Sequence, residues 1–127
     1  MAEEVIERMN DYELLAKFLE LTERRYSIEG ALDYLTIEAL GYDPEKYDIQ
    51  PSDGYPWNGW LVDRETGFSE FKTGLWQKYI QTRAEITKKI HQLLWGCAIL
   101  IDKIGYEQFR AEKEAEEIER VWKEVVV

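Results

Sequence analysis

The chain has 127 residues, of which 45% are hydrophobic and 13% aromatic, and it carries a net charge of −10. A chain of this length buries a core without help from disulfides or metals, and this composition excludes an intrinsically disordered chain. A single cysteine, Cys97, excludes an internal disulfide, and an acidic exterior repels phosphate, so no direct nucleic-acid binding is expected.

The charge is unevenly spread. Residues 1–66 hold 16 acids and 6 bases, residues 67–104 hold 3 acids and 6 bases, and residues 105–127 hold 7 acids and 4 bases. The simplest account is a solvated acidic surface with a basic segment packed among acidic neighbours. Such a surface can also imitate nucleic acid and block a basic groove, as phage-encoded inhibitors do, so an acidic nucleic-acid mimic is an alternative reading.

In chain order, Val5, Met9, Tyr12, Ala16 and Leu19 recur at helical spacing, and Ile6, Leu15 and Phe18 widen the stripe. This predicts a helix over 3–25. Ser27 can cap a second helix over 28–40, whose buried face is Ile28, Leu32, Leu35 and Ala39, with Gly41 at its C-terminal end. The short turn between them predicts a helical hairpin over 1–40.

Residues 41–60 contain all three prolines, Pro44, Pro51 and Pro56, together with Gly41, Gly54 and Gly59. Regular helix is excluded there. Five aromatics in the same stretch, Tyr42, Tyr47, Tyr55, Trp57 and Trp60, predict an ordered, packed loop in place of a flexible linker. A small β-hairpin is expected over 60–71, where Trp60-Leu61-Val62 and Phe68-Ser69-Glu70-Phe71 flank a turn ending at Gly67.

The stripe Leu75, Trp76, Tyr79, Ile80, Ile86, Ile90, Leu93, Leu94, Cys97, Ile101 and Ile104 predicts one long helix over 73–104, ended by Gly105. Lys78, Gln81, Glu85, Lys88, Lys89 and Gln92 line its opposite face, with Glu85 placed to pair with Lys89. From Leu93 to Ile101 the sequence is apolar on all sides, so that segment must be covered all round, by the loop or by a second chain. A fourth helix is predicted over 106–125, with Phe109, Ala115, Ile118, Trp122 and Val125 facing inward. The whole is a single, mostly α domain over 1–127. It is bundle-like, with about four helices and one long central helix, a small hairpin and a long aromatic loop. Residues 72–127 supply the long helix and the C-terminal one.

The sequence carries no motif that requires a cofactor or a metal, and none is expected. Glu20-x-x-Glu23 followed by Glu45-x-x-Asp48 resembles in letters the acidic signature of the MazG kind of all-α nucleotide pyrophosphohydrolases. Those enzymes hold Mg²⁺ between four carboxylates on two facing helices. Here the second pair lies in a proline-bounded stretch and not on an apolar helix, so the Mg-dependent enzyme is an alternative and not the assignment. His91 is the sole histidine and sits at the edge of an apolar stripe, where a hydrogen-bonded boundary role is expected. Cys97 lies in the most apolar run of the chain, which disfavours a thiolate nucleophile. Asp43, Glu45, Asp48 and Asp53 lack the spacing of a calcium loop.

An acidic N-terminus without a basic leader pattern, and an apolar run far short of the roughly 20 residues that span a bilayer, lead us to expect a cytoplasmic protein without a membrane partner. Catalytic residues are not expected. The reading that remains is a non-enzymatic interaction or assembly protein with a protein partner, a homo-oligomer included. Its candidate partner-binding residues are Tyr47, Tyr55, Trp57 and Trp60 in the aromatic stretch and Trp95, Ile99 and Leu100 on the all-apolar segment.

Overall fold

The computed structural model describes residues 10–24, 26–52, 55–94 and 101–126. In chain order these form α1 (Asp11–Arg24), α2 (Ile28–Ala39), β1 (Tyr47–Ser52), β2 (Tyr55–Asp63), β3 (Ser69–Lys72), α3 (Leu75–Leu93) and α4 (Ile101–Val126).

Helix α1 begins where Asn10 closes a reciprocal cap: its Oδ1 accepts from the Glu13 amide at 2.8 Å and its Nδ2 donates to the Glu13 carboxylate at 2.8 Å. The helix expected over 3–25 is therefore observed from Asp11, and residues 3–9 lie outside the described residues. Its buried face is Leu14, Phe18 and Leu21, spaced four and three apart, whereas Tyr12 and Leu19, counted in the stripe from sequence, point to solvent. Ser27 caps α2 as expected, accepting from the Gly30 amide at 3.0 Å, and Leu32, Leu35 and Ala39 are buried with Ala31 and Ile37.

The 41–60 stretch corrects the loop expectation. Most of it is strand: β1 and β2 pair antiparallel, and β2 pairs antiparallel with β3, giving a three-stranded sheet in the order β1-β2-β3. Two of the prolines lie in this sheet, at positions that tolerate a missing N–H. Pro51 is on the edge strand β1 beside an irregularity in the register, and Pro56 precedes the part of β2 that β3 covers. The hairpin expected over 60–71 is the β2–β3 pair. Gly67, at φ 76°, donates its N–H to the Asp63 carbonyl at 2.8 Å, a left-handed position that glycine takes without strain.

The single helix predicted over 73–104 is also corrected. Helix α3 ends at Leu93, and the capping residue Leu94 leaves the helical path with its N–H on Ile90 O. Two residues beyond that cap the sequence places Gly96, which is about 1 kcal/mol less favourable than alanine inside a helix. Gly105 lies within α4 and does not end a helix. A Cβ there would come within 3.3 Å of His91 Nε2, so Gly105 sits where α4 passes the His91 ring of α3. Helices α3 and α4 run antiparallel, with His91 beside Gly105, Arg83 beside Glu107 and Trp76 beside Ile118 and Val121. Phe109, expected inside, is exposed, whereas Ile118 is buried.

Two cores result. The first is all helical: Leu14, Phe18 and Leu21 of α1 and Leu32 and Leu35 of α2 meet Ile86 and Ile90 of α3 and Ile104 of α4. The second is helix on sheet: Ile49, Trp57 and Leu61 meet Leu75, Tyr79 and Ile80 of α3, with Ile37 and Ile118. Helix α3 serves both, which is why the fold is helices plus a packed sheet in place of a simple bundle. The sheet is tied to α3 by backbone geometry as well. At Gly59 a Cβ would come within 3.0 Å of Gln50 O and 3.1 Å of Trp76 N, so β2 crosses the start of α3 in near backbone contact. Asn58 beside it is buried and its Oδ1 accepts from the Gly74 amide at 2.9 Å, supplying a cap to a helix whose own N-cap residue is glycine.

Candidate interaction surface

The alternation of strand residues sorts the sheet into two faces. Ile49 and Leu61 are cross-strand partners on the inner face, and both are buried. One step along, Gln50, Trp60 and Phe71 line up across the three strands on the outer face. Trp60 is 36% exposed and Phe71 is 48% exposed, and their rings meet edge to face with centroids 5.3 Å apart. Phe68, just before β3, is 71% exposed, and the two-residue period sets it on the face opposite Phe71. Trp60 and Phe71 form an aromatic pair held across the β2–β3 strand pair.

Of the candidate residues read from the sequence, only some share this surface. Trp60 is at its centre. Trp57 is 7% exposed and belongs to the core between sheet and α3, so it presents no surface to a partner. Tyr47 is half-buried on β1, edge-on to Tyr42 with centroids 6.2 Å apart, and the Lys46 ammonium lies 5.1 Å from its ring centre. Tyr55 opens β2 opposite Ser52, and its side chain is outside the described ones. Trp95, Ile99 and Leu100 lie outside the described residues. Phe71 was missed as a site residue. The signal was available: a two-residue period places Phe71 on the same face as its cross-strand neighbour Trp60 once the hairpin is paired.

A second feature is a polar network that the sequence did not announce. Arg83, in the middle of α3, is 5% exposed. Its Nε donates to Asp33 Oδ1 of α2 at 2.8 Å and its Nη2 donates to Glu107 Oε2 of α4 at 3.3 Å. Tyr79 Oη donates to the same Asp33 oxygen at 2.6 Å, and burial, the largest cause, pushes its phenol well above the usual range. Burial raises the Glu107 carboxyl above its ordinary value, and the neighbouring Glu107 carboxyl lowers that of Glu29. Arg110 pairs with Glu29 from the outside. The arrangement ties α2, α3 and α4 together at one level. Guanidinium, phenol and carboxylates satisfy one another, which is the chemistry of a structural clamp.

A cleft of about 540 Å³ opens beside this clamp, between the start of α2 and the turn before β1. Tyr26, Asp33, Tyr34, Glu45, Asp48 and Arg64 line it. Arg64 is engaged within the fold, its Nε donating to Pro44 O at 3.0 Å and Tyr47 O at 3.1 Å. Among the described residues no three of His, Cys, Asp or Glu gather where they could hold a metal ion, so Glu20, Glu23, Glu45 and Asp48 do not form a four-carboxylate set. No helix among the described residues is long and apolar enough to cross a membrane.

In comparisons with known proteins, no family model, no curated protein and no solved structure matches the chain.

Proposed function

We propose that the chain is a protein–protein interaction or assembly component that works through the outer face of its sheet, with Trp60 and Phe71 as the anchoring groups. One observation carries the reading: a cross-strand pair of large aromatics left open to solvent on an ordered strand pair, in a fold that buries Ile49, Trp57 and Leu61 of the other sheet face against α3. Large amphipathic rings held at low conformational-entropy cost are what protein interfaces use as anchors. An exposed aromatic cluster costs free energy in water, at roughly 1.5–3 kcal/mol for each large side chain that could be buried, so a covering partner is favoured.

The test is the native size of the tagged chain in extracts of the cells that make it. The wild type is expected to migrate as a species larger than the 15.1 kDa chain, and Phe71→Ser is expected to return it to that mass. A wild type that migrates as the bare chain would remove the reading.

A further inference from the structure

The edge strand β3 carries a pattern that selects its own partner. Among the described residues the sheet order is β1-β2-β3, so one side of β3 is covered by β2 and the other pairs with no described strand. The Asp63 amide donates to Phe68 O at 2.8 Å, which makes Asp63 and Phe68 a hydrogen-bonded pair. Antiparallel ladders alternate, so Glu70 and Lys72 direct their backbone groups to β2, whereas Ser69 and Phe71 direct theirs to the open edge. An incoming antiparallel strand therefore bonds to Phe71, and the next such site on β3 is Ser69, which falls opposite Thr73 in the turn after the strand of the second copy.

The side chains decide which strand fits. Reading Ser69-Glu70-Phe71-Lys72-Thr73 against a second copy of itself, in antiparallel register centred on Phe71, sets Phe71 opposite Phe71, Glu70 opposite Lys72 and Lys72 opposite Glu70. The central pair is hydrogen-bonded, as the outward amide and carbonyl of Phe71 require. The two charged pairs fall at non-hydrogen-bonded positions, where cross-strand side chains approach most closely. Both charged pairs are of opposite sign. Charged residues on an edge usually repel a second copy, and here their order makes them self-complementary. The outer aromatic row becomes continuous through the junction, Trp60 and Phe71 of one copy meeting Phe71 and Trp60 of the other.

From this juxtaposition we infer that the partner is a second copy of this chain, joined edge to edge at β3 about a twofold axis through Phe71, so that two three-stranded sheets become one of six strands. The inference rests on the interaction reading above and names the occupant of that surface. A twofold arrangement is closed, so association stops at the dimer.

The test is a charge exchange read by light scattering of the purified chain across the micromolar range. Glu70 and Lys72 side chains are 58% and 34% exposed, so exchange leaves both cores intact, and far-ultraviolet circular dichroism confirms it for each variant. The wild type is expected to rise with concentration toward twice the 15.1 kDa chain mass. Glu70→Lys alone and Lys72→Glu alone each set like charges opposite one another at both pairs and weaken the dimer by about tenfold. Mixing the two single variants restores the dimer, because each then faces the other's opposite charges. An effect confined within one chain would not respond to mixing. A wild type that stays at the chain mass, or a mixture no better than its components, overturns the inference. If Phe71→Ser still shrinks the native species in extracts while the purified wild type is monomeric, the surface serves a different protein and only the self-pairing fails.

Discussion

At the scale of single residues, the most consequential group is Arg83, a charge placed on the central helix where the sequence shows only one cation among several. Its guanidinium is satisfied by Asp33 and Glu107 from two other helices, and Tyr79 supports Asp33 from below. Breaking such a buried set by removing one partner is far costlier than replacing it with a neutral group of the same shape. Glu107 gives a test with a sign. Its carboxyl is raised above the ordinary 4.5, burial being the main cause. A carboxyl raised in the folded state contributes stability that is full below the unfolded value and is lost as pH rises through the folded value. Glu29, lowered by its hydrogen bond with Glu107, acts in the opposite sense and below 4.5, so the two windows are separate. Glu107→Gln keeps a donor for Glu29 and an acceptor for Arg83 but cannot ionise. Urea unfolding at a series of pH values should show its stability gaining on the wild type as pH rises above 4.5. Parallel curves for the two proteins would contradict a raised Glu107 carboxyl.

At the scale of elements, the junction of sheet and α3 is the feature that sets the surface. Asn58 caps α3 across the chain, and Gly59 lets β2 cross the helix start. Asn58→Ala leaves the Gly74 amide without that acceptor and is expected to cost about 1–2 kcal/mol, measured as a lowered urea midpoint with an unchanged slope. A cost near zero would show that the junction is held by side-chain packing alone. The elements differ in how far they could be read from the chain. The second helix was legible because Ser27 and the spacing of Leu32, Leu35 and Ala39 agree, and the 60–71 hairpin was legible because two short β-prone runs flank Gly67. The first strand was not, since Pro51 and the charged residues around it hide a two-residue period, and only pairing with β2 reveals that Ile49 faces inward. The long helix misled because an apolar stripe continues in letters past the point where the backbone turns at Leu94. Phe109 misled for the related reason that helical spacing defines a face but not which faces find a neighbour. Of the candidate surface, Trp60 could be picked out by residue type. Phe71 required the register, which depends on contacts that no local pattern specifies.

At the scale of the whole molecule, the fold divides its apolar residues between a helical core, a helix-on-sheet core and an open aromatic face, while 26 acids against 16 bases keep the rest of the surface solvated. That net charge disfavours indiscriminate association, so a neutral, self-complementary edge beside the aromatic face gives association a defined place. At that edge Ser69 and Phe71 direct their amides away from β2, where the proposed partner strand would bond to them. Amide hydrogen exchange followed by nuclear magnetic resonance at low and high protein concentration reads those groups one by one. Ser69 and Phe71 amides should exchange fast in the dilute protein and become protected as concentration rises, while Glu70 and Lys72, bonded to β2, stay protected throughout. Exchange at Ser69 and Phe71 that remains fast at every concentration would contradict the account.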